Sequence, residues 1–505
     1  NSLITDASSG TINVQGIMNV NGGAWTNDTG TIILNTGVIG GTSTFTNSRT
    51  LNVLAGTSIL SAPSVFTAQS DNTINGIFDI RDDTTINGGT WNGSGTLAFS
   101  DQITRFAADT TLDTALIDLD GRVSGSGTVI VNAGVVLTIN GAQSDTFNST
   151  LTLDSGTVMF NGGAPFEHAG VMNLNNTGAT PRFSGQPVRM VNGHINSNGT
   201  AQLFSGLQFA SGTVNVAAGN LTVSTTFAGQ AGGTLNKTGP GTMVVAGPQS
   251  HAVNSRLNII EGNVTLQTDA GAGGQNLRID HNGTSLNFST SQRLATLNVG
   301  TGAFATMGVA GNTSVLRVNN YLIAGLGTPA GTINLTDETM IVDYSAVSPI
   351  GQLTDDVRAG YNGGNWNGTG IRSNFAAANP SQFAIGIVEA TDIGSPATFA
   401  GQPIDATTLI ARYTRQGDAN LDRVTNIGDF SILAANFNLP GRWARGDFNF
   451  DNMVSIADFS LLAANFNLGV PAELARGGDS LIPEPASLAA VGLVGLLASR
   501  RRRIA

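Results

Sequence analysis

Apolar and polar residues alternate in short runs through roughly the first 400 residues, and many of these runs open on Gly-Thr. Examples are GTINV at Gly10, GTIIL at Gly30, GTLAF at Gly95, GTVIV at Gly127, GTVMF at Gly156, GTVNV at Gly212 and GTINL at Gly331. A period of two sends successive side chains to opposite faces of a strand, and Gly and Asn bound each run as turn residues. No stretch of comparable length in this region carries a helical period. One longer unit recurs, NGGAWTNDTGTIIL from Asn21 and NGGTWNGSGTLAF from Asn87, with an aromatic and a following strand at equivalent places. Self-similar units of about 20 to 30 residues predict a solenoid, in which each rung buries its apolar face only by stacking on its neighbours. Stacking would also align Asn and Thr into ladders of side-chain hydrogen bonds. The expected fold is mainly β, with a β-solenoid over residues 1–296.

Within it, GTLNKTGPGTMVVAG from Gly233 to Gly247, followed by RLNIIEGNVTLQ from Arg256 to Gln267, resembles the autotransporter-associated β-strand repeat. The hallmark of that repeat is a leucine, Thr-Lys-Thr-Gly-Pro-Gly-Thr and an alternating strand; Asn236 replaces the first Thr. The resemblance implies a right-handed parallel β-helix in a bacterial surface or secreted protein, and it accounts for Lys237, the sole lysine. Over residues 297–414 Gly-Thr starts thin out and longer strands appear, MIVDYSA from Met340, FAIGIVEA from Phe383 and ATTLIARYT from Ala406. Together with GYNGGNWNGTGI from Gly360, they are similar to the pre-dockerin region of planctomycete surface proteins. A β-rich cap is expected there, because the open end of a solenoid needs polar covering.

A duplicated pattern follows: GDANLDRVTNIGDFSILAANFNL from Gly417 and GDFNFDNMVSIADFSLLAANFNL from Gly446, identical at 15 of 23 positions. Calcium takes roughly 6 to 8 oxygens, which a 12-residue loop supplies from alternate positions and a closing bidentate carboxylate. In the first copy these positions hold Asp418, Asn420, Asp422, the carbonyl of Val424, Asn426 and Asp429. In the second they hold Asp447, Asn449, Asp451, the carbonyl of Met453, Ser455 and Asp458. Behind each closing Asp, Phe430, Leu433, Ala434, Phe437 and Phe459, Leu462, Ala463, Phe466 mark an apolar helical face, and the two faces are expected to pack together. The pair resembles the dockerin type I module, a calcium loop followed by one helix, twice over, here at residues 415–470. Two Ca2+ sites are implied. The sixth loop position, where Gly makes the turn, holds Arg423 and Asn452; Asn tolerates a left-handed backbone better, so the second loop is expected to bind more tightly. The plainer alternative is a pair of solvated acidic turns. Positions 10 and 11, which carry hydroxyls toward cohesin in cellulosomal dockerins, are Ile427, Gly428, Ile456 and Ala457. The partner is thus a cohesin-like protein only by family analogy, and an intramolecular clamp stands equally open.

After a linker at 471–482, residues 483–505 run Pro483, Glu484, Pro485, then the apolar Leu488 to Ala498, then Arg500 to Arg503. The apolar run falls short of the ~20 residues of a confident transmembrane helix. Motif, short apolar helix and basic end resemble the PEP-CTERM sorting signal, which implies exosortase processing near Pro483 to Pro485 and a transient membrane anchor in a Gram-negative-type bacterium; a permanent anchor is the alternative. The chain begins at Asn1 and is read as trimmed or partial. It contains no Cys, which leaves no disulfide framework and no thiol chemistry. Without the four tail arginines, 19 basic residues face 34 acidic ones, which argues against nucleic acid as a partner.

A β-helical lyase would need clustered Asp with Lys or Arg on one face. His168, His194, His251 and His281 show no ligand spacing and are expected at turns or on the surface, and Asp82–Asp83 and Asp355–Asp356 as solvated turns. No catalytic residue is assigned. The reading is an exported, non-catalytic cell-surface or matrix protein of structural or adhesive role, contacting cell-surface polysaccharide or neighbouring proteins. The alternative is a polysaccharide-degrading lyase or glycoside hydrolase docked through the dockerin-like module.

Overall fold

The computed structural model describes residues 11–19, 25–100, 103–120, 122–140, 147–308, 311–325 and 327–471. The chain is mainly β and winds into a β-solenoid of about 15 turns. Each strand pairs in parallel with one from the next turn: Thr11 faces Thr31, Thr31 faces Thr50, Thr50 faces Asp71 and Asp71 faces Thr90. Inward positions alternate along most runs; in Thr31–Leu34 it is Ile32 and Leu34 that are buried, and in Thr50–Val53 it is Leu51 and Val53. The Gly-Thr openings have a steric cause that only stacking supplies. A Cβ on Gly95 would collide with the carbonyl of Gly76, and one on Gly127 with that of Ala108, each on the preceding turn.

Polar ladders run between turns as expected. Asn27 donates to Asn47 (2.8 Å) and Asn47 to Asn72 (3.1 Å) inside the solenoid, and on its surface Asn161 donates to Asn140 (3.1 Å) and Asn140 to Asp120 (3.0 Å). The two Asn-Gly-Gly-aromatic units, however, are not equivalent. Trp25 lies in a strand of the six-stranded sheet, paired with Phe45, whereas Trp91 lies in the large sheet, paired with Asn72. Both drop into one aromatic column, Trp25–Phe45–Phe66–Trp91, with ring centroids 5.0, 6.2 and 4.7 Å apart, because filling the interior matters more than the local motif.

Parallel pairing continues past residue 296: Gln292–Val299 pairs with Val315–Ile323, and that strand with Thr339–Asp343. There the direction reverses. Thr408–Arg415 lies antiparallel to Thr339–Asp343 and to Phe383–Glu389, closing the stack with a strand that offers no further parallel edge. Two helices of the cap went unforeseen, α1 (Ile350–Tyr361) and α2 (Asn374–Ala378). The buried residues of α1 are Leu353, Asp356, Val357 and Gly360, a helical period half of which is not apolar. After the cap come α3 (Ile427–Asn436) and α4 (Ile456–Ala464).

Three of the four histidines are interior, not surface, residues. His168 lies between Phe147 and Phe166, and His251 against Phe227. Its Nδ1 accepts from the amide of Gly229 (3.1 Å), and the ring of His281 meets the carbonyl of Phe304 (3.3 Å). Each occupies an inward position of a rung, and burial lowers all three to about 4. Only His194 is exposed. Asp355 and Asp356 sit on α1, not in a turn. Asp355 is exposed and paired with Arg358 (2.6 Å), while Asp356 is buried, accepts from the hydroxyl of Tyr321 (2.9 Å) and is pushed up to about 6 by burial. Asp82 and Asp83 lie at a bend outside any strand, as expected.

Candidate metal centre

The two acidic loops fold almost identically. The first-position carboxylate accepts from the amides of positions 5 and 6, Asp418 from Asp422 (3.2 Å) and Arg423 (2.8 Å), Asp447 from Asp451 (3.1 Å) and Asn452 (3.0 Å). The third-position amide oxygen accepts from the same position 5 at 2.9 Å in both copies. The closing carboxylate reaches back across the loop, Asp429 to the amide of Ala419 (2.8 Å), Asp458 to that of Phe448 (2.8 Å). Position 6 is left-handed in both copies, Arg423 at φ 78° and Asn452 at φ 72°, where the loop pattern asks for Gly.

Positions 9 and 12 have a second task. Asn426 and Ser455 cap α3 and α4, accepting from Gly428 (2.7 Å) and Ala457 (3.2 Å), while Asp429 and Asp458 accept from the cap amides at 2.8 and 2.9 Å, a complete capping box on each helix. Loop and helix start are therefore built by the same residues, so a perturbation of one disturbs the other.

Carboxylate oxygens of Asp447, Asp451 and Asp458 lie within 4.8 Å of one another. No arginine of the described residues forms an ion pair with any of the six loop carboxylates. Burial pushes Asp418 up to about 7, with the charge of Asp429 adding to it, and Asp447 up to about 6, with Asp458 adding to it; Asp429 is raised by burial as well. Left alone, each loop works against its own negative charge. A hard divalent cation relieves that repulsion, and the donor set of carboxylate, amide and backbone oxygens fits one. The residues that would hold it are Asp418, Asn420, Asp422, Val424 (carbonyl), Asn426 and Asp429, then Asp447, Asn449, Asp451, Met453 (carbonyl), Ser455 and Asp458.

The packing of the helices departs from the expected one. Leu433 and Leu462 are buried, and the rings of Phe430 and Phe459 meet at 6.1 Å. Phe437 and Phe466 remain exposed because α3 ends at Asn436 and α4 at Ala464, before either residue is reached, and Ala434 and Ala463 are exposed within the helices. The buried leucines cross between copies: a Cβ on Gly417 would lie 2.7 Å from Cα of Leu462, and one on Gly446 3.0 Å from Cα of Leu433. Both glycines are left-handed, at φ 95° and 105°.

Sequence reasoning missed what holds the loops to the cap. Arg358 of α1 donates to the carbonyl of Phe450 (2.8 Å) and to the side chain of Asn452 (2.6 Å). Arg412 of the closing strand donates to the carbonyl of Leu421 (3.1 Å). Leu421 and Phe450 are the fourth residues of their loops, left-handed at φ 58° and 61°. Two cap arginines thus grip the same carbonyl in the two copies. Around them, buried Trp443 donates to the carbonyl of Asp418 (2.7 Å) and packs on Phe450 (5.6 Å), which Tyr361 meets from the cap side (5.4 Å). No sequence signal marks Arg358, whose contacts span 92 and 94 residues.

On the solenoid, Lys237 and one acid–arginine cluster are engaged in contacts between rungs. Lys237 is buried, and its ammonium donates to the carbonyls of Thr238 (2.8 Å), Gly239 (2.7 Å) and Glu261 (3.0 Å), using all three donors to bind the Gly-Pro-Gly turn to the next rung. Stacking does assemble one acid–arginine cluster, Arg256, Arg278 and Asp280. Burial works to raise Asp280, but hydrogen bonds from Arg256, Asn298 and Arg278 outweigh it and hold the carboxyl below its usual range, which makes it a poor base.

No protein-family model, curated protein or solved structure matches the chain. Pro483, Glu484 and Pro485, with the apolar run and the arginines after them, lie outside the described residues. Among the described residues no helix is long and apolar enough to cross a membrane.

Proposed function

We propose that this is an exported, non-catalytic cell-surface or extracellular-matrix protein of structural or adhesive role, in which a β-solenoid stalk is closed at its C-terminal end by a dockerin-like module holding two Ca2+ ions. The observation that carries the reading is the symmetry of the module's attachment: the same loop carbonyl, in each copy, is held by an arginine of the cap. This favours the intramolecular clamp over a cohesin-like partner, because the loops are already engaged by the chain itself. Calcium, in this reading, neutralises the six loop aspartates, of which Asp418, Asp429, Asp447 and Asp458 are buried, and lets the module set against the stalk.

The stalk offers its ligand a repeating polar surface. Asn173 donates to Thr152 (3.1 Å), Asn196 to Asn173 (3.0 Å) and Asn215 to Asn196 (3.4 Å), a column of outward side chains about 4.8 Å apart from rung to rung, suited to an extended neutral polysaccharide. The tail, read as a PEP-CTERM signal, would anchor the chain at the membrane until an exosortase removes it. A calcium-titrated pull-down on cell-surface polysaccharide, run beside a glycan-cleavage screen, tests the proposal. Calcium-dependent retention without cleavage supports it, and release of oligosaccharides with turnover would replace it by the lyase or hydrolase reading.

A further inference from the structure

The incomplete packing of α3 and α4 leaves an apolar groove of about 400 Å³ on the outer side of the module, lined by Ile427, Phe430, Phe459, Leu462, Ala463 and Phe466. Ile427 and Phe430 line it from the first turn of α3, and Phe459, Leu462, Ala463 and Phe466 from α4 and the residues just past its end, so the groove follows α4 and is closed on one side by the start of α3. Ile427 is 64% exposed and Phe466 39%, an apolar concavity that neither the cap nor the solenoid covers. Exposed apolar surface that is contiguous and concave marks a docking site.

We infer that the groove is the seat of the chain's own segment Leu488–Ala498 whenever that segment is out of the membrane, as in the purified full chain. Three observations fit that occupant. The first is reach. The last described strand, Leu468–Gly469, pairs with Val424–Thr425, two residues before Ile427, so the chain leaves the fold at the edge of the groove. The 16 residues between Pro471 and Leu488 could extend roughly 50 Å, far more than needed, and a tether this short gives an effective concentration in the millimolar range.

The second is length. As a helix the 11-residue segment would measure about 16 Å, against about 14 Å for the 9-residue α4 that supplies most of the lining, so it matches the groove and falls well short of the ~30 Å of a bilayer core. The third is composition. LAAVGLVGLLA is apolar on every side, so in water it must be covered, and Ala489, Gly492 and Gly495 would let its backbone approach the rings of Phe430 and Phe459 closely. This inference is independent of exosortase processing and of the identity of the loop cation; it requires only that α3 and α4 are folded.

The absence of native cysteine gives a direct test on the full chain. Ala463→Cys paired with Ala490→Cys places one thiol in the groove and one in the segment, and oxidation followed by trypsin, which cuts between them at Arg476, reports the bond as a linked peptide. The linked peptide is expected in the monomer fraction, at a rate independent of protein concentration and at least tenfold above that of a control pairing Ala490→Cys with Ser250→Cys on the exposed side of a solenoid strand. Linking at the control rate overturns the inference, and so does linking confined to dimers, which would make a second copy the occupant. The unsubstituted chain guards against misfolded variants. Amide exchange in α3 and α4 should be slower in the full chain than in one ending at residue 487, and equal rates in the two would also overturn it.

Discussion

If the cap arginines hold the loops in the shape that receives calcium, removing one should weaken that loop's cation site without touching a ligand. Arg358→Ala deletes hydrogen bonds to the Phe450 carbonyl (2.8 Å) and to the Asn452 side chain (2.6 Å). A hydrogen bond from a charged donor contributes about 1.5 to 3 kcal/mol when well shielded. The Arg358 side chain is 33% exposed, so the pair together is discounted to about 2 kcal/mol. Because Phe450 and Asn452 are the fourth and sixth residues of the second loop, that energy is shared between docking and cation binding, and at 1.4 kcal/mol per factor of ten the site should lose about 5-fold in affinity for an equal share and at most about 25-fold. Arg412→Ala, which frees the Leu421 carbonyl, should do the same to the first loop. Calorimetric titration of calcium into both single variants would show two sites each, one weakened and one unchanged. Affinities within twofold of the parent at both sites would show that the loops fold without the cap and would refute the reasoning.

Three further outcomes follow from the same structure. His168, His251 and His281 are lowered to about 4 by burial against about 6.5 unfolded, so the unfolded chain binds more protons between those values; stability should be full above pH 6.5 and fall by about 1.4 kcal/mol per pH unit per histidine on the way down to pH 4. Thermal melting at pH 7 and pH 5 reads this, and equal midpoints would contradict it. Gly417→Ala and Gly446→Ala each put a methyl against the opposite copy's leucine backbone at a left-handed position, and should lower module stability by about 2 kcal/mol or more, read by chemical denaturation; unchanged midpoints would contradict the crossed packing. Replacing Pro483, Glu484 and Pro485 with alanine should, in a strain with an active exosortase, leave a longer membrane-retained form; peptides reaching Ala505 in the released parent protein, found by mass spectrometry, would exclude sorting by cleavage.

The solenoid was legible because its rule is local: a period of two, as in Ile32 and Leu34, fixes which side chains turn inward whatever the neighbours are. The shape of the two acidic loops was legible for a similar reason, since a 12-residue spacing carries its own turn geometry, and Arg423 and Asn452 proved left-handed where Gly is usual. What stayed hidden depends on contacts between turns. His168, His251 and His281 are single polar residues at inward positions, received by contacts from other turns: phenylalanine rings beside His168 and His251, and the Phe304 carbonyl at His281. The helix α1 hides because its buried stripe includes Asp356, whose partner Tyr321 lies 35 residues earlier. Arg358 follows the Asp355–Asp356 pair that was expected as a solvated turn, and its role appears only once the closing strand reverses direction and brings the module back onto the cap.

Calcium titration by calorimetry, comparing the parent chain with the Asp429→Asn/Asp458→Asn double variant, tests the central claim most directly. Asparagine keeps an oxygen for the capping boxes while removing the closing charge from both loops. The account predicts two bound ions per parent chain, with a rise in the melting temperature as calcium is added, and loss of most affinity at both sites in the variant. No heat of binding in the parent at millimolar calcium, or unchanged stoichiometry and affinity in the double variant, would contradict it.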